Sequence, residues 1–443
     1  MMTSLGHKLT PSFVKRRIEG RPYLKKVLGN TIWLFADKVL RMGTGLVVGV
    51  WVARYLGPEQ FGALNFASAF AGLFAAIATL GLEGIVVRDI VREPERKYEI
   101  LSSTLLLKFC GGVAAFLLSL GAIFILRPAE SQTHWLMGII AAGMIFQALD
   151  AIDIWFQSQT QSKYAVVAKN MAYVILSAIK VILILNKAPL VAFAYAALAE
   201  IIVGGGGLVF FYVRQHAMAT LWCPRLDTAK RLLNESWPAI VSGLAIMIYM
   251  RIDQVMLAQL SGNREVGIYS AALRFSEIWY IIPSVIVNSV RPSITLAKEE
   301  SESKYYQQLQ RLCNMLVRIS YAIAVTMTFA SAFIVALFYG NTYAGAGFIL
   351  GIHIWAAIFV FIGGAMSLWY SNEGLLKYTL VQTILGAVMN VLLNLYLLPL
   401  YGGVGAAIAT VISYGFAAYL SNALFKKTMI VFKMQTKSLF FIK

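Results

Sequence analysis

Asp37, Lys38 and Arg41 stand in the middle of Asn30–Gly62, a run otherwise apolar enough to cross a bilayer. Each charge at the centre of a spanning helix costs on the order of 3 kcal/mol. Such a charge persists where it meets a partner or a water-filled cavity. The same conflict recurs along the chain. Eight cations lie inside apolar runs: Lys38, Arg41, Lys108, Lys169, Lys180, Arg251, Arg274 and Arg318. Seven acids accompany them: Asp37, Glu83, Asp150, Asp153, Glu200, Asp253 and Glu277. Local spacing offers two pairs, Asp37 with Arg41 and Arg274 with Glu277, each able to close on one helix face. Lys38, Lys108, Lys180, Arg251 and Arg318 have no opposite charge at helical spacing. Unpaired cations at depth suit a cavity that receives an anion. The candidate substrate-binding cations are therefore Arg41, Arg251, Arg318, Lys38, Lys108 and Lys180. Asp37, Glu200 and Asp253 are candidate coupling or ion-pair acids. Asp150, Asp153, Glu83 and Lys169 fall near helix ends, where interfacial solvation is the simpler expectation.

No other constellation carries chemistry. Gly57-Pro-Glu-Gln-Phe-Gly62 lacks the Lys-Ser/Thr of a phosphate-binding loop. The three cysteines lack metal-ligand spacing, and no catalytic triad pattern is present. No cofactor or metal is expected, and the chain is not read as an enzyme. His353 stands alone on an apolar run and is expected to be a packed polar residue. Gly204-Gly-Gly-Gly207 is costly inside a helix and is expected to permit close packing or a bend.

The elements that position these charges follow from composition. The 443 residues are 59% hydrophobic and only 13% charged. Repeated apolar runs near 20 residues define an all-α polytopic membrane protein. No charge interrupts the 48 residues between Lys377 and Lys426. At about 1.5 Å per residue they exceed twice a bilayer's thickness. They must cross twice, turning at Pro399-Leu-Tyr-Gly-Gly403.

Twelve spans are predicted: 30–54, 61–87, 100–126, 135–156, 164–185, 189–213, 235–260, 267–290, 312–339, 344–370, 378–398 and 404–425. The connecting segments on the side of the two termini hold 26 Lys and Arg, against four on the other side. Both termini are therefore expected in the cytoplasm. This asymmetry also accounts for the net charge of +17 without a nucleic-acid partner. Residues 1–29 form a basic cytoplasmic segment without an apolar core, so the first span serves as the targeting signal. No external loop is long enough for a catalytic domain.

A weak internal repeat divides the chain. Asn30-Thr-Ile-Trp33 returns as Asn234-Glu-Ser-Trp237, and Leu56-Gly-Pro-Glu-Gln-Phe-Gly62 as Leu260-Ser-Gly-Asn-Arg-Glu-Val-Gly267. Trp155-Phe156 with Lys163-Tyr164 matches Trp369-Tyr370 with Lys377-Tyr378. Two tandem six-helix halves result, 30–213 and 235–425. Residues 214–234 form a cytoplasmic linker, an amphipathic connector or a plain tether, and 426–443 a basic cytoplasmic tail. Two halves of the same orientation suit a transporter that alternates access by rocking.

The stretch Ala53-Arg-Tyr-Leu-Gly-Pro-Glu-Gln-Phe-Gly62, with Leu80-Gly-Leu-Glu83 and Arg88, resembles the polysaccharide transporter family. This is the Wzx-type O-antigen flippase group of the multidrug/oligosaccharidyl-lipid/polysaccharide exporter superfamily. The resemblance implies a V-shaped bundle like that of the multidrug exporters, with a lumen lined by the first and seventh helices. It implies flipping of undecaprenyl-diphosphate-linked oligosaccharide across the bacterial inner membrane. Its expected partners are that substrate, membrane lipids and other polysaccharide-assembly membrane proteins. Three alternatives stay open: a cation-coupled multidrug exporter, a lipid II flippase, for which fourteen spans are usual, and a membrane polysaccharide polymerase or ligase.

Overall fold

The computed structural model describes residues 22–442, with side chains from Lys38 onward. Every regular element among them is helical. In chain order these are α1 (Pro22–Thr79), α2 (Glu83–Arg92), α3 (Lys97–Leu126), α4 (Ser131–Phe146), α5 (Asp150–Ser158), α6 (Ser162–Leu185) and α7 (Leu190–Val213). The second part runs α8 (Leu226–Leu260), α9 (Asn263–Glu277), α10 (Ile281–Glu300), α11 (Glu302–Tyr339), α12 (Gly345–His353), α13 (Ala356–Asn372), α14 (Leu376–Ala418) and α15 (Met429–Leu439). Ten helical stretches among the described residues are long and apolar enough to cross a membrane.

Two of those ten are too long for one crossing, and each breaks at a glycine. In α14 the break is Gly402, at φ 54°. Its two limbs lie antiparallel. Gln382 donates to Asn422, Asn390 donates to Ser413, and Gly405 abuts the carbonyl of Leu397. These pairs converge on Gly402, so the charge-free run folds back as its length requires. In α1 the break is Gly57, at φ 68°, followed by Pro58. The second predicted span, 61–87, does not run unbroken. α1 stops at Thr79, because Leu80 and Gly81 both take positive φ.

The repeat motif has a packing role. Gly57 and Gly262 both have positive φ. Five residues beyond each lies a glycine pressed onto the other copy. A Cβ on Gly62 would fall 1.7 Å from the Asn263 carbonyl oxygen, and one on Gly267 would fall 2.0 Å from that of Pro58. Only backbone fits at such distances, so the two turns seat each other reciprocally. The other matched pair also corresponds in structure. Lys163 covers the Tyr164 ring at 4.6 Å and Lys377 covers Tyr378 at 5.9 Å.

The chain packs as two compact units. One holds the described residues through Trp51 with Phe74–Val241, and the other holds Val52–Leu73 with Ser242–Lys443. The linker is not a plain tether. α8 begins at Leu226, and its first turns are clasped by charges from α2 and the segment after it. Arg88 meets Glu235 at 2.5 Å, Arg231 meets Glu93 at 3.0 Å, and Arg96 bridges Glu93 and Glu99. Thr228 donates to Glu99. The basic tail likewise contains a docked helix. In α15, Val431, Met434, Gln435, Ser438 and Leu439 are buried. Gln310 of α11 donates to the Met434 carbonyl at 3.0 Å and to Ser438 at 2.7 Å.

Candidate functional site in the charged cavities

In the first unit the intramembrane charges gather from six helices. Lys169 of α6 reaches Asp150 at 2.8 Å and Asp153 at 2.5 Å, both in α5. Those three residues line a cavity of about 400 Å³ with Glu83 of α2 and Lys108 of α3. Lys108 is only 6% exposed. Among the described residues it makes neither an ion pair nor a hydrogen bond, and its nearest charged neighbours are the acids and the lysine of this cavity. A buried ammonium in that state is normally eliminated from a protein core, because nothing offsets its desolvation. Here its charge faces a space that can hold water or an anion.

A second cavity, of about 150 Å³, continues from the first, since Asp150 and Lys169 line both. Its other wall carries Arg41 of α1, Gln147, Glu200 of α7 and the glycines Gly204 and Gly205. Arg41 is half-buried, with its guanidinium 5.1 Å over the Tyr173 ring. The glycine run acts by close packing, as expected. Gly205 seats Leu149, and Gly207 lies against Ala168. Lys180 is not a free cation, because it pairs with Glu200 at 3.0 Å.

The second unit arranges its charges differently. Arg251 of α8 lies 3.8 Å from Glu277 of α9. Asp253, 4% exposed, accepts hydrogen bonds from the Tyr269 hydroxyl and from the Gln254 N–H. Thr410 of α14 lies 3.4 Å from the same hydroxyl. Arg274 covers the Phe61 ring at 5.2 Å, while Glu277 lies near Arg251 on the neighbouring helix. His353 is buried and hydrogen-bonded to Ser276 at 2.8 Å, the packed polar residue expected.

Of the sequence-predicted site residues, Arg41, Lys108, Lys180 and Glu200 come together in the first unit. Arg251 and Asp253 sit near one another in the second. Lys38 and Arg318 are exposed on α1 and α11. The Asp37 side chain, and with it the expected Asp37–Arg41 pair, lies outside the described residues. Sequence reasoning left Lys169, Asp150, Asp153 and Glu83 as interfacial charges. They line the cavity around Lys108 instead. Three acids in the first turns of two helices, with Lys169 about two turns into a third, were the available signal.

Residues 27–296, more than half of the chain, match the family described as polysaccharide biosynthesis protein. The chain is similar to a probable low-salt glycan biosynthesis flippase of Haloferax volcanii, at 23% identity over 89% of this chain and 83% of that protein. It is also similar to a protein of Shigella dysenteriae named as an O-antigen transporter, at 25% identity over 82% of this chain and 91% of that one. Among solved structures, an inward-facing multidrug transporter of the MATE family and MOP superfamily superposes with a TM-score of 0.73, at 19% identity over 90% and 96% of the two chains. The lipid II flippase MurJ, inward closed, gives the same TM-score at 17% identity over 93% and 91%. At these identities the two structures show a shared fold.

Proposed function

Because the chain belongs to the polysaccharide biosynthesis protein family, we propose that it is a flippase that moves an undecaprenyl-diphosphate-linked oligosaccharide, an O-antigen or a similar repeat unit, across the bacterial inner membrane by alternating access. Its relatives are named as a flippase and as an O-antigen transporter, which supports this reading. In the proposed topology the chain crosses twelve times in two tandem halves, with both termini and the linker in the cytoplasm. The 26-to-4 bias of Lys and Arg supports that orientation.

The observation that carries the proposal is Lys108, a buried ammonium without a partner among the described residues, on a cavity inside the apolar helices. A diphosphate carries negative charge whatever sugar is attached, so it is a fitting ligand for such cations. We assign that role to Lys108, Arg41 and Arg251. Arg offers a planar fork that matches phosphate oxygens, and Lys a point charge. The two described acids that a cation-coupled drug exporter would need are already engaged, Glu200 by Lys180 and Asp253 by Tyr269.

Deletion tests the reading. In a host without a redundant flippase, loss of the gene should leave lipid-linked repeat units in the cytoplasmic leaflet and abolish the surface polymer. Polymer at normal levels in that strain would refute it.

A further inference from the structure

The second unit contains a cavity of about 390 Å³ that no charge lines. That volume falls in the range of small-molecule sites. Its walls come from α8, α13, both limbs of α14 and the docked tail helix α15. One wall is aromatic. Tyr249 and Tyr414 stack with ring centroids 4.4 Å apart and planes 19° from parallel. The backbone makes room for this stack at Gly386, where a Cβ would fall 2.8 Å from the Tyr249 ring.

Another part of the lining belongs to a network of amides and hydroxyls. Gln382 donates both amide hydrogens, to the Tyr370 hydroxyl and to Asn422, each at 2.8 Å. Asn422 in turn donates to Gln435 of α15 at 3.0 Å. The network fixes the wall but leaves capacity unused. Among the described residues the Gln382 carbonyl oxygen and the Tyr249 and Tyr414 hydroxyls make no hydrogen bond. Gln382 is 6% exposed and Tyr414 7%, yet neither is among the side chains with a sealed, unpartnered polar atom. Both residues line the cavity.

Neutral donors and acceptors beside aromatic rings are the chemistry of a sugar site. The hydroxyls of a sugar satisfy the amide and phenol groups, and its axial C–H face lies on the ring. A polyprenyl chain would gain nothing from Gln382 or the tyrosine hydroxyls and would leave them unsatisfied. We propose that this cavity is a glycan subsite, holding one or two neutral sugar residues of the transported oligosaccharide through Tyr249, Tyr414 and Gln382. This rests on the flippase reading and adds a place for the glycan, separate from the cations assigned to the diphosphate.

Two probes separate the readings in the purified, detergent-solubilised full chain. One is the glycan released by mild acid from the host's lipid-linked pool, and the other is polyprenyl diphosphate without sugar. Binding of each is measured calorimetrically to the native chain and to the Tyr414→Phe, Tyr249→Ala and Gln382→Leu variants. Tyr414→Phe removes one oxygen and keeps the stack, so it guards against simple misfolding. The proposal expects a 5- to 20-fold loss of glycan affinity in each variant, with polyprenyl diphosphate unchanged. Unchanged glycan affinity would overturn it, and so would a loss confined to polyprenyl diphosphate, which would mark a lipid-tail site. If the native chain binds polyprenyl diphosphate but no glycan, the subsite is wrong and the flippase reading stands. If it binds neither, both fall.

Discussion

The charged cavities of the first unit and the uncharged cavity of the second are built on opposite principles. In the first, ions from several helices face one another. Lys169 spans two carboxylates, Lys180 takes Glu200, and Lys108 is left over. In the second, the charges are withdrawn from the cavity. Asp253 is capped by a tyrosine hydroxyl, Arg251 leans towards Glu277, and the cavity is lined by uncharged residues. In the proposed reading the two units differ in what they can bind. The first suits a charged group and the second a neutral, hydroxylated one. A diphosphate-linked sugar has both parts.

The largest expected effect falls on Lys108. Lys108→Met should cut flipping by roughly 30-fold or more, the equivalent of about 2 kcal/mol for one partner of a buried charge contact. Because this lysine has no partner among the described residues, its replacement should leave the melting temperature unchanged or raise it. A destabilised variant that still transports would make Lys108 a structural residue and remove the contrast between the units.

Arg251 should come next. Arg251→Ala should lower transport by about tenfold, and Arg251→Lys should recover only part of it, since a point charge replaces the fork. Full activity in the lysine variant, read in the same transport assay, would show that any cation serves and that phosphate geometry is not being recognised.

The Lys180–Glu200 pair should behave as packing. Lys180→Met alone should cost about 1 kcal/mol through the unpaired carboxylate. The exchange Lys180→Glu with Glu200→Lys should restore both melting temperature and transport. An exchanged protein that folds but does not transport would return Lys180 or Glu200 to the functional list.

The smallest effect concerns the linker clasp. The hydrogen bond from Arg231 holds the Glu93 carboxyl below its ordinary 4.5. A lowered carboxylate stabilises the contact above that value and loses it as pH falls through the lower folded value. Spin labels replacing Arg92 and Lys230 should therefore keep one separation from pH 7 down to about 4.5 and part only in stronger acid. Separation already at pH 6 would mean that the charges do not hold the linker.

Much of the fold was legible because apolar length is additive. The run between Lys377 and Lys426 had to turn, and Gly402 is where it turns. The repeated glycine motif pointed to two related turns, though not to their mutual contact, because sequence carries no sign of which backbones touch. Ion pairs between helices were not legible. Lys180 and Glu200 lie 20 positions apart, and Lys169 lies 16 and 19 from its acids, so helical spacing could not join them. Asp253 escaped for another reason, since its partner Tyr269 is neutral and counting charges does not register it. The tail helix was available in principle. Val431, Met434, Gln435, Ser438 and Leu439 recur at helical spacing, but the five lysines of 426–443 drew attention to charge instead of period. The neutral cavity left no trace, because tyrosine and glutamine in apolar helices look like ordinary packing.

The most direct measurement is transport itself. The purified chain is reconstituted into vesicles carrying the host's lipid-linked oligosaccharide with a fluorescent tag on the glycan, and the glycan's transfer between leaflets is read by a membrane-impermeant quencher. The chain should speed that transfer in proportion to its amount, and Lys108→Met should abolish most of the gain. Transfer no faster than in protein-free vesicles, in preparations where a cationic dye is expelled, would contradict the account and make the chain a drug exporter.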